Sequence, residues 1–168
     1  LSIVFLVGLL QRADELNNPA FVIQVDRTTL DEQLHDQFVA AKPLVGDVQH
    51  AESVEDLRDL LQTQGGEVVL STIEKFRLKT DQGEVEHPVL SKRSNIIIIA
   101  DEAHRTQYGY VEGYARYLAE ALPNARRIGF TGTPVSFSGA DTVEVFGEVI
   151  HTYDLRQSQD DGATKPIY

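Results

Sequence analysis

Apolar positions along the chain follow two different periods, and they predict helices and strands in alternation. Leu1-Ser-Ile-Val-Phe-Leu-Val-Gly-Leu-Leu10 is apolar almost throughout. It turns polar at Gln11–Glu15 before Asn17-Asn18-Pro19, which predicts a helix over 1–15. Phe21–Val25 is β-branched and aromatic and reads as a strand. Leu30, Leu34 and Phe38 recur at helical spacing over 30–40, and 41–52 reads as loop with a short strand at Val45–Val48. Ser53 offers an N-cap to a helix whose apolar face is Leu57, Leu60 and Leu61, running to Gln62. Gln64-Gly65-Gly66 ends that helix and Glu67–Ser71 is the next strand. Lys79–Pro88 is polar, with a turn at Asp81-Gln82-Gly83, and is expected to be an exposed, mobile loop. Tyr110–Ala121 is helical, with Tyr114, Tyr117, Leu118 and Ala121 on one side. Arg126–Phe130 is a strand. A short helix or turn past Asp141, a strand near Glu148–Tyr153 and a polar tail reaching Asp161-Gly162 complete the pattern. Alternating strands and helices require crossover connections, hence a parallel sheet.

The stretch Asn95–His104 organises this pattern. Ile96–Ile99 leave no polar face, so the strand is buried on both sides, and at roughly 1.5–3 kcal/mol per isoleucine it belongs in the middle of the sheet. The run ends at two adjacent carboxylates, Asp101 and Glu102. Ligands of open α/β sheets sit at the carboxyl ends of strands, where a metal–phosphate site needs its acids. An acidic pair there also suits a helix start.

Ile96-Ile-Ile-Ile-Ala-Asp-Glu-Ala-His104 resembles motif II (Walker B) of superfamily 2 helicases and translocases, in the DEAH form. The resemblance implies that Asp101 holds Mg²⁺ on the phosphates of ATP and that Glu102 polarises the attacking water. Phosphoryl transfer rests on such positioning and charge neutralisation. Three more segments are similar to the same family in the expected order. Val25-Asp-Arg-Thr-Thr-Leu-Asp-Glu-Gln33 resembles motif Ia, Ser71-Thr-Ile-Glu-Lys-Phe76 motif Ib, and Gly129-Phe-Thr-Gly-Thr-Pro134 motif III. The first two place hydroxyls, amides and cations at strand ends, where a nucleic-acid phosphate can be met, with Arg27, Thr28, Thr72 and Lys75 as candidate DNA contacts. Locally, each also reads as a capped helix start. In motif III, Thr131, Gly132 and Thr133, with His104, would relay the nucleotide state. Gly132 stands where many relatives have alanine, and the wider backbone freedom of glycine implies that details of the link differ from theirs.

The strings Asp101–Gly109, Val25-Asp-Arg-x-x-Leu-Asp-x-Gln33, Gly129–Pro134 and Asp161–Tyr168 are similar to the R subunit of type I restriction endonucleases. That resemblance implies a RecA-like (P-loop NTPase) α/β fold, a parallel sheet with helices on both faces. Residues 1–160 would belong to the first motor domain and 161–168 would start the crossing to the second. It implies an ATP-driven double-stranded DNA translocase, cytoplasmic, assembled with methyltransferase and specificity subunits and with no membrane partner. Two other readings stand beside it: a motor fragment of another superfamily 2 DNA or RNA helicase, and a nucleotide-independent interaction module with a degenerate helicase fold.

Composition narrows the field. With 42% hydrophobic and 24% charged residues over 168, the chain is of ordinary globular make-up. Fifteen basic against 26 acidic residues give −11, which excludes a grip on nucleic acid by bulk charge, though not local phosphate contacts. Cysteine is absent, and the five histidines lack metal-ligand spacing. The opening apolar run is about half of the roughly 20 residues a spanning helix needs. It has no basic leader, so a buried helix is expected. None of the 12 glycines precedes a lysine, so the Gly-Lys-Ser/Thr loop of motif I is not in this sequence. The resemblance places that loop before Leu1 and its strand beside Arg126–Phe130. Arg126–Phe130 is therefore expected to be an open edge or to be covered by the 148–153 strand or by another chain.

Overall fold

A computed structural model describes residues 2–25, 28–62, 66–101, 111–132 and 146–165; the side chains of 28–33, of Asp81 and of 111–115 lie outside that description. Five parallel strands form one sheet: β1 Ala20–Val25, β2 Val48–His50, β3 Val68–Thr72, β4 Ile96–Ala100 and β5 Arg126–Gly129, in the order β2-β3-β1-β4-β5. The register aligns Ile23 with Leu70 and with Ile99, and Ile99 with Ile128.

Period-two alternation divides the strand residues between two cores, as a sheet covered on both faces requires. Phe21, Ile23, Val25, Leu70, Ile97 and Ile99 pack on one face. Their cover is α1 (Ser2–Leu10), α2 (Thr28–Ala40) and α3 (Lys42–Val45), through Val4, Val7, Phe38 and Val45. Ala20, Val22, Val69, Ile96 and Ile98 pack on the other against α4 (Val54–Gln62) and α5 (Val111–Ala121), through Leu57, Leu61, Leu118 and Ala121. All four isoleucines of β4 are buried, as the run predicts.

The cap of α4 is as expected and more elaborate. Ser53 Oγ accepts from the amide of Asp56 (3.0 Å), which satisfies a free helix donor, and Asp56 Oδ2 accepts from the amide of Glu52 (2.8 Å), just before the cap. Elsewhere the structure corrects the pattern. α1 stops at Leu10, and Asp14–Leu16 is a separate 3₁₀ turn. Val45 closes the short helix α3, and the strand is Val48–His50, because Gly46 at φ 79° breaks the chain between them. Thr29 lies in the first turn of α2.

The polar segment 79–88 is a strap tied down at several points. Arg58 donates to both oxygens of Glu84 (2.6 and 2.9 Å), which also accepts from the Lys79 amide (2.7 Å). His87, 6% exposed, stacks on Tyr117 at 5.9 Å. Leu90 N donates to Ala121 O. In place of a helix, this strap carries the chain from β3 across the α4–α5 face to β4. As expected from its composition most of the segment is exposed, Val85 at 86%, while the partly buried Arg58–Glu84 pair and the buried His87 fix it to the α4–α5 face.

Residues 147–154 form no strand and are exposed, with Ile150 at 90%. The polar tail after them contains α6, Leu155–Asp160, with Asp154 Oδ1 accepting from Gln157 N at 2.8 Å as its N-cap. β5 pairs with β4 alone among the described residues and is the last strand of the sheet. The outer side of β5 has no strand beside it among the described residues, yet 148–153 does not pair with it. Arg126 and Arg127 place charge on that edge, a known protection of exposed strands, and burial lowers the pKa of Arg127.

Candidate functional site

Parallel strands bring all their carboxyl ends to one border of the sheet. There Val25 is level with Thr72, and the ladder runs one rung further. The amide of Asp101 donates to Gln24 O (2.9 Å) and that of Phe130 to Ala100 O (2.8 Å). Asp101 is therefore held by main-chain hydrogen bonding at the tip of the most buried strand, with Thr72 two strands away and Thr131 following on the neighbouring strand. Asp101 and Thr131 are partly exposed, as a ligand site requires.

The connections make this border a crevice. From β1 the chain leaves over the α1–α2–α3 face to reach β2; from β4 it leaves over the opposite face through α5 to reach β5. Adjacent parallel strands whose connections depart to opposite faces open a gap between their carboxyl ends, where ligands of such sheets bind. That switch point lies between Val25 and Asp101.

The other residues singled out from the sequence are distributed unevenly. Thr72, only 6% exposed, precedes the 3₁₀ turn Ile73–Phe76 without capping it by its side chain. Lys75 donates from Nζ to the carbonyl of Ala51, which ties the turn after β3 to the end of β2. Gly132 is exposed, has no positive φ, and a Cβ built on it meets nothing within 4 Å. Arg27, Glu102, His104 and Thr133 lie outside the described residues, as does the side chain of Thr28.

Sequence reasoning missed two polar residues at this border. Gln24 is 2% exposed and Ser71 fully buried, side by side in the register. Ser71 Oγ donates to Thr72 O (3.0 Å), whereas neither amide atom of Gln24 has a hydrogen-bond partner among the described residues. The signal was a lone glutamine inside the apolar string Ala20-Phe-Val-Ile-Gln-Val25.

The residues present suit a magnesium–nucleotide complex. Mg²⁺ takes one or two protein carboxylates and fills its remaining positions with water and phosphate oxygens. Asp101 supplies one such oxygen donor at a fixed place. The described residues hold no cluster of three or more His, Cys, Asp or Glu of the sort a protein-only metal cage needs. No helix among them is long and apolar enough to cross a membrane.

Comparison with known proteins agrees with this arrangement. The chain is 45% identical over 178 aligned residues to the type I restriction enzyme HindI endonuclease subunit of Haemophilus influenzae, covering 99% of this chain and 17% of that protein. It is 36% identical to the putative type I restriction enzyme MjaIXP endonuclease subunit of Methanocaldococcus jannaschii (100% and 15%). It is 31% identical to the SauMSSORF170P endonuclease subunit of Staphylococcus aureus (92% and 16%). The chain thus spans about one-sixth of the length of these relatives. The family profile of the SWI2/SNF2 ATPase matches residues 1–168 from end to end, and with the parallel sheet and the acid at the tip of the interior strand β4, the chain belongs to the SWI2/SNF2 ATPase family.

Proposed function

We propose that this chain is the DEAH-bearing part of the first motor domain of a type I restriction endonuclease R subunit, an ATP-driven double-stranded DNA translocase. Residues 1–160 belong to the motor domain, and 161–168 begin the crossing to the second. The reading is carried by the placement of Asp101, one rung past the buried strand β4, beside the crevice between β1 and β4. It is supported by the similarity to restriction endonuclease subunits over nearly the whole chain.

In this reading Asp101 binds Mg²⁺ and Glu102 orients and deprotonates the water that attacks the terminal phosphate. When bound, Mg²⁺ neutralises charge on the phosphates. The Gln24 O to Asp101 N hydrogen bond holds the acid in place. His104, Thr131, Gly132 and Thr133 pass the nucleotide state along the border to the DNA side. Arg27, Thr28, Thr72 and Lys75 form that side; Thr72 contributes main chain there, its hydroxyl being buried. Net charge of −11 makes the contact with DNA local rather than diffuse. Methyltransferase and specificity subunits complete the complex.

The test is ATP hydrolysis by the full-length protein with linear double-stranded DNA, single-stranded DNA and RNA. Hydrolysis stimulated by the duplex and abolished by Glu102→Gln is expected. Stimulation by RNA alone points to another helicase, and absence of nucleotide binding to an interaction module.

A further inference from the structure

Gln24 is a buried side chain with both of its polar atoms unmatched among the described residues. It lies near the carboxyl end of β1, 2% exposed, with Nε2 and Oε1 both lacking partners among the described residues. Alternation puts it on the face of Ala20 and Val22, toward α4 and α5. Its level neighbours are small, Ser71 on β3 and Ala100 on β4, so the carboxamide is not filling a gap between large side chains. A methionine or leucine would fill the same volume and leave no donor or acceptor unpaired. Buried amides are almost always hydrogen-bonded in native proteins. Its own carbonyl, meanwhile, receives the amide of Asp101, and it stands on the β1 side of the crevice where the chain connections diverge.

We infer that Gln24 is a positioning residue for Asp101: its carboxamide completes its hydrogen bonds only when Mg²⁺–nucleotide occupies the border of the sheet. It thereby links β1, which leads to Arg27 and Thr28, to β4, which carries Asp101. The inference rests on the reading of Asp101 as the magnesium–nucleotide acid. Its physical content is a binding-linked hydrogen bond: the free protein carries an unpaired buried amide, and the occupied protein does not. Nucleotide binding then stabilises the wild type by more than its direct contacts provide.

The test uses the full-length protein with Gln24→Met and, as a second apolar replacement, Gln24→Leu. Thermal midpoints are measured with and without Mg²⁺ and a non-hydrolysable ATP analogue, and DNA-stimulated turnover gives kcat and KM. Expected are a ligand-free midpoint equal to or above wild type, a smaller analogue-induced rise, and a kcat lowered about tenfold, the lower end for a group that orients a metal ligand. KM for ATP should rise in step with the smaller analogue-induced shift, because the binding-linked hydrogen bond is lost. Val22→Ala on the same face is the control; it should lower the midpoint yet retain the analogue-induced rise. A wild-type analogue response and kcat in both Gln24 variants would overturn the inference alone, and so would failure of both to fold. A wild type that neither binds the analogue nor hydrolyses ATP removes the functional reading with it.

Discussion

The two borders of the sheet are both polar, yet they are built on opposite terms. At the amino border, Asn95 Nδ2 donates to the carbonyls of Asn17 (2.9 Å) and Asn18 (3.1 Å). Arg93 Nε donates to Asn95 Oδ1 (3.1 Å), and the same guanidinium meets Glu67 at 3.4 Å. Asn17 and Asn18 are held at φ 55° and 52°, where asparagine is tolerated better than most residues. The side chain of Asn18 sits so close to Gly66 that any Cβ there would strike it. Every group in this knot is engaged with another part of the same fold. At the carboxyl border, the buried amide of Gln24 has no described partner and Asp101 is partly open. Polar residues at strand ends therefore do not mark a site by themselves; the contrast between the borders lies in the unmatched amide of Gln24 and the partial exposure of Asp101.

Substitutions should separate the borders. The largest effect is expected at the carboxyl one. Glu102→Gln in the full-length protein should lower ATP turnover about 10²–10⁴-fold while nucleotide still binds, the usual worth of a positioned acid or base. Asp101→Asn should instead weaken the magnesium-dependent part of binding. Normal hydrolysis by both variants would return the acidic pair to a plain helix start.

Asn95→Ala should do the reverse. Losing its hydrogen bonds to two exposed main-chain carbonyls should cost about 0.5–1.5 kcal/mol of stability, seen as a lower denaturation midpoint, with turnover per folded molecule unchanged. A fall in turnover without a fall in stability would mean that the amino border is not purely structural.

The strap gives a smaller, pH-dependent effect. The bidentate hydrogen bonds from Arg58 pull the Glu84 pKa from 4.5 to about 2. A carboxylate with a depressed folded pKa adds stability above its unfolded pKa and loses it as pH falls toward the folded one. Stability should therefore drop between about pH 4.5 and 2 through this group, and Glu84→Gln should flatten that part of the profile. Burial also lowers the pKa of His87, so a second loss should begin as pH falls below the ordinary histidine value. The two are separated by measuring unfolding midpoints of Glu84→Gln and His87→Gln across the range. The pairing itself is worth about 1 kcal/mol at neutral pH. The smallest change is expected at Gly132→Ala, within about 0.5 kcal/mol in stability, since its Cβ meets nothing. A larger loss would show that another backbone state of Gly132 is needed.

The chain's local periods were enough to establish the parallel α/β architecture. β4 was legible as an interior strand because four isoleucines cannot face water, and α4 because Ser53 and its leucines carry cap and face together. The acid at Asp101 was legible for the same reason: an apolar run has to end where the sheet ends. Val48–His50 was not, since three residues form a strand only by pairing with β3. Nor was the fate of 148–153, whose β-branched and aromatic residues suit a strand but which does not pair with the edge of β5. Strand order, the tie of Lys75 to Ala51, the anchoring of the strap by Arg58 and Tyr117, and the unmet amide of Gln24 were decided by the tertiary structure alone. Each depends on groups far apart in sequence, whose hydrogen bonds are made or missed only after the sheet has assembled.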